Sequence, residues 1–204
     1  MAVPATADAP LLLIVAGPNG SGKSTAYEET LPEFQGRTVW IVNPDRLTKR
    51  LNSVETLSGD SANLAAVVRI EEWLYASLSV HQSVGVETVL STNKYRRLVN
   101  RAKELGYEIW LLYVILDHPD RNVERVAIRV RKGGHEVDEA DIRRRYDRSL
   151  GQLPWFLEEA DRAWLYDNSG AELRLVGTKE GDTLELDVEA PKRLINALGV
   201  NGAP

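Results

Sequence analysis

The chain has 204 residues, 43% of them hydrophobic and 27% charged, enough for one domain with a sizeable buried core. The absence of cysteine excludes disulfides, thiolate metal sites and a cysteine nucleophile, and fits a reducing, cytoplasmic setting. A net charge of -5 gives no global attraction for nucleic acid or an anionic membrane.

Residues 1–10 carry no basic side chain, so they fit a disordered leader better than an export signal. Leu11 to Ala16 is a continuous apolar run, too short to span a bilayer and suited to a central strand covered on both faces. A helix is expected from about Lys23 to Leu31, a strand from Thr38 to Val42 and a long helix from Asp60 to Ser83. Val84 to Leu90 reads as a third strand, and Lys94 to Leu105 as a helix stopped by Gly106. Glu108 to Leu116 is a fourth, strongly apolar strand. Pro119 suits the first turn of a helix running to about Lys132, with Asp117 or His118 as its cap. Gly133-Gly134 breaks it, and a second helix runs from about Asp138 to Leu150. Arg162 to Tyr166 is a fifth strand, followed by the turn Asp167-Asn168-Ser169-Gly170. Leu173 to Val176 and Thr183 to Leu186 can pair as an antiparallel hairpin, and Pro191 to Leu198 closes the chain as a helix. The alternation predicts an α/β fold of three layers around a mostly parallel five-stranded sheet, one domain throughout, with a helical lid over about 119–150.

Between the first strand and the first helix stands Gly17-Pro18-Asn19-Gly20-Ser21-Gly22-Lys23-Ser24-Thr25, which satisfies G-x-x-x-x-G-K-[ST] in the strand-to-helix context that pattern requires. The glycines let successive backbone N–H groups turn toward one phosphate, and the helix adds its positive N-terminus. Lys23 is placed to reach the β- and γ-phosphates of a nucleoside triphosphate, with ATP the expected nucleotide, and the Ser24 hydroxyl to complete a magnesium shell. The pattern alone does not name a reaction. A transporter ATPase would need an Asp-Glu strand end, which is missing, and Leu57-Ser58-Gly59-Asp60 is only a truncated echo of its signature loop. A GTPase would need an aspartate that Asn93-Lys94-Tyr95-Arg96 does not have.

Asn43-Pro44-Asp45 lies just past the second strand, where open α/β sheets form their ligand crevice. Asp45 there can accept the proton of an acceptor hydroxyl, or can simply cap a short helix. Glu87 interrupts the third strand, a costly place for a carboxylate without a partner. It suits magnesium held through water, as Asp45 does, or a substrate hydroxyl. Thr88, Ser91, Thr92 and Asn93 follow at the same strand end. They offer small polar groups to a sugar-like ligand, or an N-cap to the next helix. Arginines recur at 121, 125, 129, 131, 143, 144, 145 and 148. A planar guanidinium suits the clamping of a transferring phosphoryl group. The plain alternative is two solvated helices laced with acids. Interleaved acids argue against a nucleic-acid patch. His135, near the turn, is read as a structural hydrogen-bonder, and the scattered histidines suggest no nitrogen-ligand metal site.

Taken together, Gly17 to Thr25, Asn43-Pro44-Asp45, Glu87 to Thr92, and the arginine stretches 129–135 and 142–150 resemble the zeta toxin family of P-loop kinases, over about Leu11 to Ser169. The resemblance implies an ATP-dependent kinase with magnesium, acting on a hydroxyl of UDP-N-acetylglucosamine, and an antitoxin protein as a candidate partner. It implies Asp45 as general base and Glu87 and Thr88 as substrate contacts, beside which Asn43, Ser91 and Thr92 stand as further candidates for the same role. It gives Arg129 and Arg144, with Arg131 and Arg145, as lid arginines on the phosphates, and places Asn168 beside the adenine. A polynucleotide 5′-hydroxyl kinase, another small-molecule kinase for a nucleoside, sugar or drug, and a non-catalytic ATP-binding regulator are the alternative readings.

Overall fold

The structure, a computed structural model, describes residues 9–30, 39–44, 47–48, 50–51, 59–134 and 136–199. The strands are β1 (Leu11–Ala16), β2 (Trp40–Val42), β3 (Val84–Thr88), β4 (Glu108–Ile115), β5 (Arg162–Asp167), β6 (Arg174–Glu180) and β7 (Thr183–Leu186). The helices are α1 (Lys23–Thr30), α2 (Gly59–Ser79), α3 (Arg96–Glu104), α4 (Pro119–Arg131), α5 (Glu139–Glu159) and α6 (Lys192–Leu198).

The strands form one seven-stranded sheet in the order β2-β3-β1-β4-β5-β6-β7. Neighbours from β2 to β5 are parallel, whereas β6 and β7 are antiparallel additions. The expected five-stranded sheet is thus corrected to seven. The hairpin does form, and it docks on the outer edge of β5 rather than standing apart. Bare backbone donors and acceptors along β5 would otherwise go unpaired.

Strands β1 and β4 are buried on both faces, and their alternation sorts the core into two layers. Leu12, Ile14, Ile109 and Leu111 face the larger cluster, with Leu74 and Leu78 of α2, Val99 of α3 and Phe156 of α5. Leu13, Val15, Trp110 and Leu112 face the other side, with Ala26 and Tyr27 of α1. Among the described residues, no helix is long and apolar enough to cross a membrane.

Several boundaries moved for local reasons. Strand β3 stops at Thr88 rather than Leu90, because Leu90 takes a left-handed φ of 58° and donates its N–H to Thr88 Oγ1 at 3.0 Å. Helix α2 stops at Ser79, and His81 is left-handed with φ 54°. Helix α4 starts with Pro119 behind His118, whose ring accepts from Asp120 N. Helix α5 is capped by Asp138 and runs on through Pro154 to Glu159, well past the expected stop at Leu150. Burial of Leu153, Phe156 and Leu157 on the stripe begun by Ile142, Tyr146 and Leu150 outweighs one missing backbone donor.

Candidate functional site

The chain leaves β1 at Ala16 and turns through Gly17, Gly20 and Gly22 with φ of 141°, 74° and 95°. Packing forbids side chains there as firmly as conformation does. A Cβ on Gly17 would stand 2.1 Å from the Val114 carbonyl oxygen, and one on Gly22 would stand 2.3 Å from Asn168 Nδ2. Lys23, opening α1, is largely buried and donates from Nζ to the carbonyls of Gly17 at 2.9 Å and Pro18 at 3.1 Å. Its ammonium is thereby folded back across its own loop. Ser21 closes the turn by donating its N–H to Pro18 O at 3.2 Å.

The loop is held from outside by elements far along the chain. Asn122 of α4 is fully buried and donates Nδ2 to the Asn19 carbonyl at 2.6 Å. Asn168, just past β5, donates Nδ2 to the Ser21 carbonyl at 2.8 Å. Arg125 of α4 donates Nη2 to the Asn168 carbonyl at 2.7 Å, which joins the two supports. Asn122 does not stand out as a site residue in the sequence, and Arg125 does so only as one of a run of arginines. The one legible signal is an amide on the inward face of α4, four residues before the buried Val126.

Glu87 bridges the loop to the next wall. The parallel register of β1 and β3 sets Val15 beside Glu87 and Ala16 beside Thr88. Glu87 Oε2 accepts from Ser24 Oγ at 2.9 Å and from Asn43 Nδ2 at 2.7 Å. A carboxylate that interrupts an apolar strand is thus partnered twice, once from the phosphate loop and once from the end of β2. Asn43 also accepts the Leu47 N–H on its carbonyl at 3.1 Å, in the position of a helix start before Pro44.

These groups line a cleft of about 440 Å³. The loop contributes Asn19, Gly20 and Lys23, the end of β2 contributes Asn43 and Pro44, and β3 with its exit contributes Glu87, Thr88, Ser91 and Thr92. Arg129 and Arg145 reach it from α4 and α5, so two of the four arginines singled out meet there. The other two do not line it. Arg144 turns to Asp141, three residues back, and Arg131 lies exposed at the end of α4. Thr25 is exposed on α1. Lys94 and Tyr95, unmarked in the sequence, line the cleft as well. Asp45 and His135 lie outside the described residues.

As oxygen donors, Ser24 Oγ and Glu87 have the hard chemistry that magnesium prefers. Among the described residues no group of three or more His, Asp or Glu could hold a metal unaided. That still suits Mg²⁺, which is commonly bound by one or two protein oxygens together with substrate phosphates.

A profile of the AAA domain matches residues 12–149, more than half of the chain. The chain belongs to the AAA domain family. An uncharacterized protein of Haemophilus influenzae (strain ATCC 51907 / DSM 11121 / KW20 / Rd) is 28% identical over 135 residues, covering 66% of this AAA domain protein and 91% of that one. Among solved structures, AvrRxo1-ORF1:-ORF2 with ATP superposes with a TM-score of 0.72 at 17% identity, covering 97% of this chain and 67% of that one. The PezAT chromosomal toxin-antitoxin system of Streptococcus pneumoniae gives a TM-score of 0.62 at 19% identity, over 95% of this chain and 80% of that one. The Pnkp1/Rnl/Hen1 RNA repair complex gives 0.56 at 22% identity, over 75% of this chain and 48% of that one. At such identities the likeness is one of fold.

Proposed function

We propose that this AAA domain protein is an ATP-dependent phosphotransferase that moves the γ-phosphate to a hydroxyl of a small molecule. The observation that carries the reading is the bridge from Ser24 of the phosphate loop through Glu87 to Asn43. It ties the nucleotide side and the acceptor side of one cleft together. The fold shared with an ATP-bound protein and with a toxin-antitoxin system supports the same reading.

In this mechanism the phosphate loop cradles the triphosphate, and Lys23 leaves its two loop carbonyls for the β- and γ-phosphate oxygens. Ser24, with Glu87 through water, would hold Mg²⁺, which when bound neutralises charge on the phosphates. Arg129 and Arg145 are preferred over Arg131 and Arg144 as the clamps on the transferring group, because they line the cleft. Thr88, Ser91 and Thr92 orient the acceptor. Asp45 takes the proton of the acceptor hydroxyl as its oxygen bonds to the γ-phosphorus, and the bond from that phosphorus to ADP breaks. Asn168, anchored on Ser21, lies beside the adenine. The resemblance to zeta toxins makes UDP-N-acetylglucosamine the first acceptor to try and an antitoxin a candidate partner.

The test is incubation with ATP, magnesium and UDP-N-acetylglucosamine, followed by mass spectrometry for a product one phosphate heavier, with Asp45→Ala beside it. A product made by the native chain and lost in the variant is expected. Native turnover in Asp45→Ala would remove that residue as the base. A chain that binds ATP and phosphorylates nothing, in any metabolite pool, would sink the phosphotransferase reading.

A further inference from the structure

We infer that Leu90 is a positioning residue for the acceptor: the left-handed turn of its backbone sets Thr88, Ser91 and Thr92 where they meet the molecule to be phosphorylated. The inference rests on the phosphotransferase reading and assigns the residue that builds its acceptor wall.

Five residues in a row, Thr88, Val89, Leu90, Ser91 and Thr92, line the cleft without a gap. An extended strand cannot do this, because its successive side chains point to opposite faces. Strand β3 ends at Thr88, and Leu90 then takes a φ of 58°. That single residue breaks the alternation and lets its neighbours on both sides turn to one ligand.

The conformation is costly for leucine and is nevertheless held from two sides. Among the described residues, the non-glycine positions with a left-handed φ are His81 and Leu90. His81 is exposed just after α2, where such a residue is an ordinary helix ending. Leu90 is only 1% exposed, within the larger core cluster, and has no polar atom to ease the turn. Glycine would take the same φ freely but would lose the anchor in the core. The other hold is the Leu90 N–H, which donates to Thr88 Oγ1 at 3.0 Å. Thr88 is the strand partner of Ala16, the last residue of β1 before the phosphate loop. The turn is thus registered to the strand that launches that loop. With a lone pair given to Leu90, the Thr88 hydroxyl has its O–H to offer the acceptor. Backbone strain kept by a surrounding that over-determines it, at the wall of a ligand cleft, is strain that serves the site.

The experiment compares the native chain, Leu90→Ile and Leu90→Met. Both variants conserve volume in a way cores tolerate, but the β-branch of isoleucine opposes a positive φ and the methionine chain does not. Transfer from γ-labelled ATP is followed over a dilution series of an aqueous small-molecule cell extract, and ATP Kd is measured by calorimetry. In Leu90→Ile the half-saturating amount of extract should rise about ten- to a hundredfold, the scale of a small misplacement, with the maximal rate changing less and ATP Kd near native. Leu90→Met should stay near native in all three. A native half-saturating amount in Leu90→Ile, even with a lowered Tm, would make the turn structural only. An equal loss in Leu90→Met would assign the effect to side-chain packing, and a raised ATP Kd in Leu90→Ile would assign it to the whole sheet. Each of these overturns the inference and leaves the kinase standing. No transfer by the native chain, with ATP still bound, removes the kinase reading and this inference together.

Discussion

Glu87 is the side chain on which two halves of the cleft depend. Its carboxylate holds Ser24 and Asn43 on one oxygen, and both partners are neutral donors. Glu87→Gln keeps the shape and removes the charge. The magnesium concentration needed for half-maximal transfer should then rise roughly ten- to a hundredfold, as for other residues that orient a metal ligand. A titration identical to that of the native chain would detach Glu87 from the metal. Gly22 is constrained differently. Gly22→Ala would force a side chain onto φ 95° and into the Asn168 amide, 2.3 Å away. A loss of about 1–3 kcal/mol is expected from the backbone conformation alone, read as a lower Tm, together with loss of ATP binding by calorimetry. Normal ATP affinity in Gly22→Ala would mean that the Asn168 support is dispensable.

Helix α4 is bound to the phosphate loop at one end and carries a cleft arginine at the other. Asn122 and Arg125 hold its first turns against the loop and the Asn168 segment. Arg129 lies further along, just before the Gly133-Gly134 turn into α5. The first half of α4 is thus tied to the phosphate loop and to the Asn168 segment, whereas Arg129 is not part of those two bonds. Asn122→Ala should cost about 1–3 kcal/mol, since it removes a buried donor and leaves the Asn19 carbonyl without that bond. ATP affinity should fall while helix content by circular dichroism stays native. Unchanged stability and affinity would show that the contact does not support the loop. At its other end the α4–α5 pair is seated on the sheet by buried phenols. Tyr146 donates to the Leu116 carbonyl at 2.7 Å, and the Tyr113 hydroxyl meets Ser149 Oγ at 2.9 Å.

Those phenols give the whole molecule a predictable response to alkali. Burial pushes Tyr95, Tyr113 and Tyr146 well above the ordinary value of 10.0. In the unfolded chain they titrate near that ordinary value. The folded state therefore keeps protons that the unfolded state releases. Their stabilising contribution is fully present below pH of about 10 and is lost as pH rises further. Denaturant unfolding followed from neutral to strongly alkaline pH should show stability falling only above that point, and falling less steeply in Tyr146→Phe. A flat profile would mean that the phenols are hydrated in solution. The sheet, which carries Tyr113 on β4, also gathers the site. Strands β1, β2 and β3 run parallel and end together, so their exits supply the phosphate loop, Asn43 and Glu87 to one crevice.

The sequence alone determined the phosphate loop, because a glycine-rich turn between an apolar strand and a helix needs only local backbone freedom. It determined the parallel strands through their unbroken apolar runs, and the candidate acid Glu87 through its cost inside such a run. What the tertiary structure decided was which long side chains meet. Arg144 and Arg145 are neighbours in a run of arginines and both pair with Asp141, yet of the two it is Arg145 that also lines the cleft. The supports on the loop were equally invisible: Asn122 and Asn168 act across 103 and 147 positions of sequence. The hairpin was legible as a hairpin, but its docking on β5 was not, since an edge that needs pairing exists only once the sheet is built. Helix α5 outran its expected end for a similar reason. A proline inside a helix is a local penalty, and only the burial of Leu153, Phe156 and Leu157 in the assembled core could offset it.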